Sequence, residues 1–150
     1  MPTVRVEHSS TIPRQPSQVF RVASEPLQQV EWDLGTCRGV EPLTPGAASK
    51  GSRYRAHLGR AVVELEIVEF VRDARFTTIA RTREGILRST LTFMVAPAGT
   101  TLTQVDELAS TGLGAMVAPL TRGRLARRQK EIAERLRRYV NAGGGASEDG

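Results

Sequence analysis

The stretch from Ala118 to Asn141 constrains this chain most. Read as a helix, it places Ala118, Leu125, Ile132, Leu136 and Val140 on one face at spacings of seven, seven, four and four, the period of a helix laid on a core. Arg124, Arg127, Arg128, Lys130, Glu131, Glu134, Arg135, Arg137 and Arg138 fall away from that stripe, so the opposite face reads as solvated. At about 1.5 Å per residue such a helix spans roughly 36 Å, the width of a small domain. A stripe that long needs a sheet to lie on.

The upstream sequence supplies one. Val4, Val6, His8, Ser10 and Ile12 alternate with polar residues as in a strand with one buried face. Pro13 and Pro16 end it, and Pro16 to Ala23 reads as a short helix with proline in its first turn. A second short helix is expected from Glu25 to Trp32, with Ser24 as its N-cap. From Cys37 to Ser110 the period becomes two, broken by turn residues at Pro45-Gly46, Gly59-Arg60, Asp73-Ala74, Gly85 and Pro97-Ala98-Gly99. Leu87, Ser89, Leu91, Phe93 and Val95 share one face of one of these strands. Short turns in succession imply an antiparallel sheet with one face covered. One helix cannot cover seven strands, so the sheet must curl around it, leaving a cavity near the two short helices.

A chain of 150 residues is expected to form one domain with one core, here residues 1–141, followed by a disordered tail at 142–150. Its net charge of +5 suggests nucleic acid until it is located. Ala118–Asn141 holds eight basic and two acidic residues, a balance of +6, so the rest of the chain sums to −1. Glu131 precedes Arg135 and Glu134 precedes Arg138 by four residues, which favours a solvated helix face over a nucleic-acid surface. Stacking aromatics and a binding motif are both missing from the sequence, so no nucleic-acid partner is expected. With Cys37 as the single cysteine, no intrachain disulfide can form. The N-terminal stretch lacks the apolar segment of a signal peptide and no run reaches the length of a membrane span, so a soluble, cytoplasmic protein is expected. The two histidines, His8 and His57, lack metal-site spacing and no carboxylate cluster joins them, so no metal or other cofactor is expected. Gly112-Leu113-Gly114 is too short for a dinucleotide fingerprint and reads as a flexible lead-in to the long helix.

Several small markers occur in an order that resembles a known superfamily. They are Ile12-Pro13 followed by Ser17-Gln18-Val19-Phe20, the Trp32 segment, Gly51-Ser52-Arg53-Tyr54, Gly99-Thr100-Thr101-Leu102-Thr103, and the basic terminal helix. Residues 3 to 141 together resemble the START-like, or SRPBCC, superfamily of polyketide cyclases and dehydrases, lipid-transfer domains and plant ligand binders. The resemblance implies an α+β helix-grip fold: a curved antiparallel seven-stranded sheet wrapped around a long C-terminal helix, with two short helices after strand one. It also implies an apolar cavity for a hydrophobic small molecule. It implies no single activity, because this fold carries binders, carriers and enzymes alike.

The informative positions are polar ones that the periodicity turns inward. Leu102 and Leu108 set the inner face of the last strand, which brings Gln104 and Asp106 with them. Asp106 facing an apolar cavity would have a raised pKa and suit general acid or base work. A bulge between the two leucines would instead turn Val105 in and Asp106 out. On the helix, Gln129 interrupts the centre of the apolar stripe and needs a partner, structural or ligand. Arg122, at the stripe's edge, either meets a ligand carboxylate or phenolate at the pocket mouth or is solvated. Tyr54 either offers its hydroxyl to a ligand or fills core space. The expected pocket wall comprises Tyr54, Leu65, Leu87, Ser89, Leu91, Phe93, Leu102, Gln104, Arg122, Leu125 and Gln129, with Asp106 the one catalytic candidate. Three readings follow: a carrier of a lipid, polyketide or other aromatic; a cyclase or dehydratase using Asp106; and a basic helix that docks an anionic membrane or acidic carrier protein. Oligomeric state is not legible.

Overall fold

The alternation of Val4, Val6 and Ile12 with polar neighbours becomes β1 (Thr3–Ile12), in which all three are buried. The computed structural model describes residues 3–33, 36–110 and 118–144. The Gly112-Leu113-Gly114 lead-in lies outside them. After β1 the chain forms α1 (Pro16–Ala23), whose first position is proline as expected. The expected second helix is divided into a 3-10 turn (Pro26–Gln28) and the single-turn α2 (Gln29–Trp32). Its N-cap is Glu25, whose carboxylate accepts the Leu27 N–H at 3.1 Å; Ser24 is instead the C-cap of α1, its own N–H donating to the Phe20 carbonyl.

Six strands then run as a meander: β2 (Cys37–Pro42), β3 (Arg53–Leu58), β4 (Ala61–Val71), β5 (Arg75–Thr82), β6 (Gly85–Ala96) and β7 (Gly99–Ser110). The sheet order is β1-β7-β6-β5-β4-β3-β2, every pair antiparallel. Hairpins, short ones from β3 onward, keep sequential strands adjacent, so only β1 must travel, and it pairs with β7. Register shifts in β2 between Cys37 and Gly39 and in β4 between Ile67 and Glu69 add local twist, which bends the sheet at its β2–β4 end. At the β6–β7 turn Gly99 has φ 136°, and a Cβ there would lie 2.4 Å from the Ile12 carbonyl oxygen. Only glycine lets this hairpin close beneath the end of β1.

The long helix, α3 (Ala118–Asn141), lies over β1 and β7. Gln129 Nε2 donates to the Val6 carbonyl at 3.0 Å, Gln104 Nε2 donates to the Gln129 carbonyl at 2.8 Å, and Arg14 reaches the Asn141 carbonyl at 3.1 Å. Its end is closed by Gly143 at φ 94°, with the Gly144 N–H on the Tyr139 carbonyl. Residues 142–144 thus belong to the helix end, while 145–150 of the expected tail lie outside the described residues. Leu136 and Val140 are fully buried in a core with Ile12, Val19, Phe20, Ile67, Phe93 and Leu102. Phe20 packs edge-to-face on Phe70 and on Phe93, each at 5.2 Å between ring centres. Such pairs contribute about 0.5–1.5 kcal/mol beyond their buried area. Val95, expected on the inner face of β6, is 83% exposed, two residues before the β6–β7 turn.

Two of the arginines expected on a solvated face are only partly solvated. Arg128 and Arg135 are half-buried, and both bind Asp33, which is fully buried at the end of α2. The Glu131–Arg135 and Glu134–Arg138 pairs do form, at 3.5 and 3.0 Å. Arg124 meets Glu84 at the surface. Among the described residues, no helix is long and apolar enough to cross a membrane.

Candidate functional site

A cavity of ≈190 Å³ lies between the inner face of the sheet and α3, and the segment from Ala23 to Trp32 caps it. Most of its wall is apolar. The sheet contributes Leu65, Leu87, Leu91 and Leu102, the helix Leu125, Ile132 and Leu136, and the cap Pro26 and Trp32. The cavity exists because α3 sits over β1 and β7, so its apolar stripe spans open space above β5 and β6 before it meets the core at Leu136 and Val140.

The sheet register places a polar row across this floor. Thr78 on β5 stands opposite Ser89 on β6, which stands opposite Asp106 on β7, and all three line the cavity. Apolar rows flank it, Ala80–Leu87–Leu108 on one side and Phe76–Leu91 on the other, the latter ending at Gln104. The pairing along β7 is continuous with both neighbours, so no bulge reverses the strand and Asp106, not Val105, faces inward. Ser89 Oγ donates to Asp106 Oδ1 at 2.5 Å, and Gln129 Nε2 donates to Oδ2 at 2.7 Å. Burial raises the Asp106 pKa; the Ser89 and Gln129 hydrogen bonds and the positive charge of Arg128 offset it only in part. The carboxyl is thereby moved toward the range where it exchanges a proton near neutrality.

A second polar group joins the cap to the helix. Arg128 grips Asp33 with both terminal nitrogens, at 3.0 and 2.5 Å, Arg135 adds a bond at 2.8 Å and Gln29 one at 2.9 Å. Burial alone would raise the Asp33 pKa, but the bonds and charge of Arg128, with those of Gln29 and Arg135, outweigh it and hold the carboxyl below its usual range. Of the four, Gln29 and Arg128 also line the cavity. Three buried polar atoms of nearby residues have no hydrogen-bond partner among the described residues: Trp32 Nε1, Gln104 Oε1 and Gln129 Oε1. Trp32 and Gln104 belong to the cavity wall.

The sequence profile of a family described as polyketide cyclase/dehydrase and lipid transport matches residues 3–141. The chain belongs to that family. Among curated proteins, none matches it in sequence. Solved structures share the fold. Ara h 8.0201 superposes with a TM-score of 0.77 at 13% identity, over 94% of this chain and 99% of that one. A protein from Thermus thermophilus gives 0.69 at 20% identity, over 95% and 99%. The di-domain ARO/CYC StfQ from the steffimycin biosynthetic pathway gives 0.79 at 7% identity, over 95% of this chain and 52% of its own. At these identities the likeness establishes the helix-grip fold and nothing finer.

Within this family member, the expected pocket residues separate into three groups. Leu65, Leu87, Ser89, Leu91, Leu102, Gln104, Asp106 and Leu125 line the cavity. Gln129 stands behind its wall, bonded to Asp106 and Val6, and so serves the structure while orienting the acid. Tyr54 and Phe93 are packed in the core cluster beside the cavity instead of at its wall. Burial raises the Tyr54 hydroxyl pKa, which keeps it protonated. Arg122 is exposed and donates to the Arg5 carbonyl on β1 at 2.7 Å; it stands outside the cavity wall. The arginine that does line the cavity is Arg128. Its position three residues after Leu125 and four before Ile132 sets it beside the apolar stripe, a spacing that marks it in the sequence once the helix is placed. Asp33 carries no such mark. His8 faces inward with Nδ1 unpaired among the described residues, and His57 pairs with Glu41 at 2.9 Å. Among the described residues, no group of three or more His, Cys, Asp or Glu is arranged to hold a metal ion.

Proposed function

We propose that this protein binds, and carries, a hydrophobic small molecule in the cavity beneath α3. The observation that supports this reading is the cavity itself: ≈190 Å³, walled mainly by leucines, in a domain otherwise packed around Phe20 and Leu136. Leaving such space empty costs stability, because its lining loses dispersion contacts. An apolar cavity of about 150 Å³ accepts benzene, and pockets for drug-sized molecules begin near about 300 Å³. The resting cavity therefore suits a molecule of one or two rings or a short chain, the size of an aromatic metabolite rather than a whole phospholipid. Thermal-shift measurement against a panel of aromatic and short-chain lipid molecules, with native mass spectrometry of the purified protein, tests this. The reading expects a raised Tm with at least one panel member. A flat panel together with an empty protein in the mass spectrum would overturn it.

A second reading, a cyclase or dehydratase, is favoured by one observation: Asp106, with its raised pKa, reaches the cavity wall beside Ser89. There its carboxylate would take a proton from carbon next to a ketone, and the resulting acid would return it to a leaving hydroxyl. Loss of turnover in Asp106→Asn, with binding retained, would support this reading, and unchanged turnover of a confirmed substrate would remove it.

A further inference from the structure

The polar groups around the cavity are not balanced at its cap. A guanidinium carries five N–H donors, and Arg128 spends two on Asp33. Its remaining donors belong to a half-buried side chain that forms part of the cavity wall. Trp32, 8% exposed and next to Asp33 in sequence, adds an indole N–H with no partner among the described residues. Two elements of the wall thus offer donors; the Trp32 N–H is buried and, among the described residues, unpaired, which costs about 1–3 kcal/mol until a ligand supplies an acceptor, and the partly exposed guanidinium adds a positive charge beside it. The carboxylates already present do not meet this need. Asp33 is saturated by Arg128, Arg135 and Gln29, and Asp106 is taken by Ser89 and Gln129.

Asp33 also fixes where the guanidinium points. Its two-point grip holds the fork in one plane, which is the geometry that receives a second planar anion on the fork's free edge. Arg135 shares Asp33, but its other contacts are Thr36 and Glu131, and it stands outside the cavity wall. The one carboxyl on the cavity wall, Asp106, has both oxygens engaged by Ser89 and Gln129 and stands on the sheet floor, away from the cap.

Resting on the cavity-binding reading above, we propose that the ligand is an apolar molecule bearing one carboxylate, received by Arg128 and the Trp32 indole N–H while the leucines hold its body. Arg128 is thus the residue that selects acids over their neutral counterparts.

The test is titration of the full chain with 2-naphthoate and 2-naphthamide, and with octanoate and octanamide, followed by calorimetry. The two pairs separate aromatic from aliphatic sources of the same group. Each expected carboxylate–guanidinium pair makes the better-fitting acid bind about tenfold tighter than its amide. Arg128→Gln should bring the acid down to the level of the amide, with the fold of the variant checked by cooperative urea unfolding. Arg135→Gln should keep the preference. If Arg128→Gln fails to fold, Arg128→Lys serves, with part of the preference kept. Acids that bind no tighter than amides in the natural protein, or a full preference surviving in the Arg128 variant, would overturn the proposal while leaving the cavity reading intact. Failure of all four probes to bind would overturn the proposal, and the cavity reading with it once the wider panel is also flat and the purified protein is empty by mass spectrometry.

Discussion

Ser89 on β6 donates its hydroxyl to Asp106 on β7 across a 2.5 Å hydrogen bond, and the two face a leucine-walled cavity. The pair is set by register alone: Ser89 and Asp106 are direct cross-strand neighbours in a ladder without a bulge. With Gln129 on the other carboxyl oxygen, the acid is held from the neighbouring strand and from the helix, and burial raises its pKa.

The first prediction concerns pH. The folded-state pKa of Asp106 is raised above its unfolded value, so the folded protein binds the proton more tightly. The stability this contributes is present below the unfolded pKa, about 3.9, and is lost as pH rises through the folded value. Asn at this position cannot titrate. The stability difference between the natural protein and Asp106→Asn, from urea unfolding at successive pH values, should therefore fall as pH rises from about 4. A difference that grows with pH would contradict the assignment. Asp33, whose shift has the opposite sign, is common to both proteins and cancels.

The second concerns Gln129, whose amide bonds the Val6 carbonyl and Asp106 Oδ2 from a side chain only 1% exposed. Leucine has similar volume but no donor, and leaves both acceptors buried without it. Gln129→Leu should cost about 1–3 kcal/mol of unfolding free energy. A change near zero in urea unfolding would show that water replaces the amide.

The third concerns the clamp between cap and helix. Removing Asp33 leaves Arg128 and Arg135 facing one another without the shared carboxylate. Breaking a buried pair from one side costs about 3–5 kcal/mol, and because both arginines keep about a quarter of their exposure, roughly 2–3 is expected for Asp33→Ala. Hydrogen exchange should also quicken in 26–33, the segment the clamp holds down.

Much of this arrangement is legible in the sequence, and the exceptions share a cause. The strands, their hairpin order and the helix stripe follow from period two and period 3.6, which are local. The burial of Gln129 follows from the same periodicities, whereas the inward turn of Asp106 is one of two readings they allow and is decided by the unbroken register of β7. Arg122 borders the stripe, which points to a pocket mouth, yet it sits over β1, where the sheet edge offers the Arg5 carbonyl instead of a cavity. Tyr54 and Phe93 have the right face but the wrong depth, since α1 brings Phe20 down onto that end of the sheet. The Asp33 clamp joins residues 95 and 102 positions apart in sequence, and no local pattern announces such a contact.

The central claim is an occupied cavity, and the single tryptophan reports on it. Trp32 lines the wall, and so does Ala80, which is 6% exposed. Phenylalanine at position 80 would fill much of the space. Titration of Trp32 fluorescence with 2-naphthamide should give a saturable change in the natural protein, with the change lost in Ala80→Phe although that variant unfolds with the same cooperativity. A saturable response of equal affinity in both proteins would place the ligand elsewhere and contradict the account.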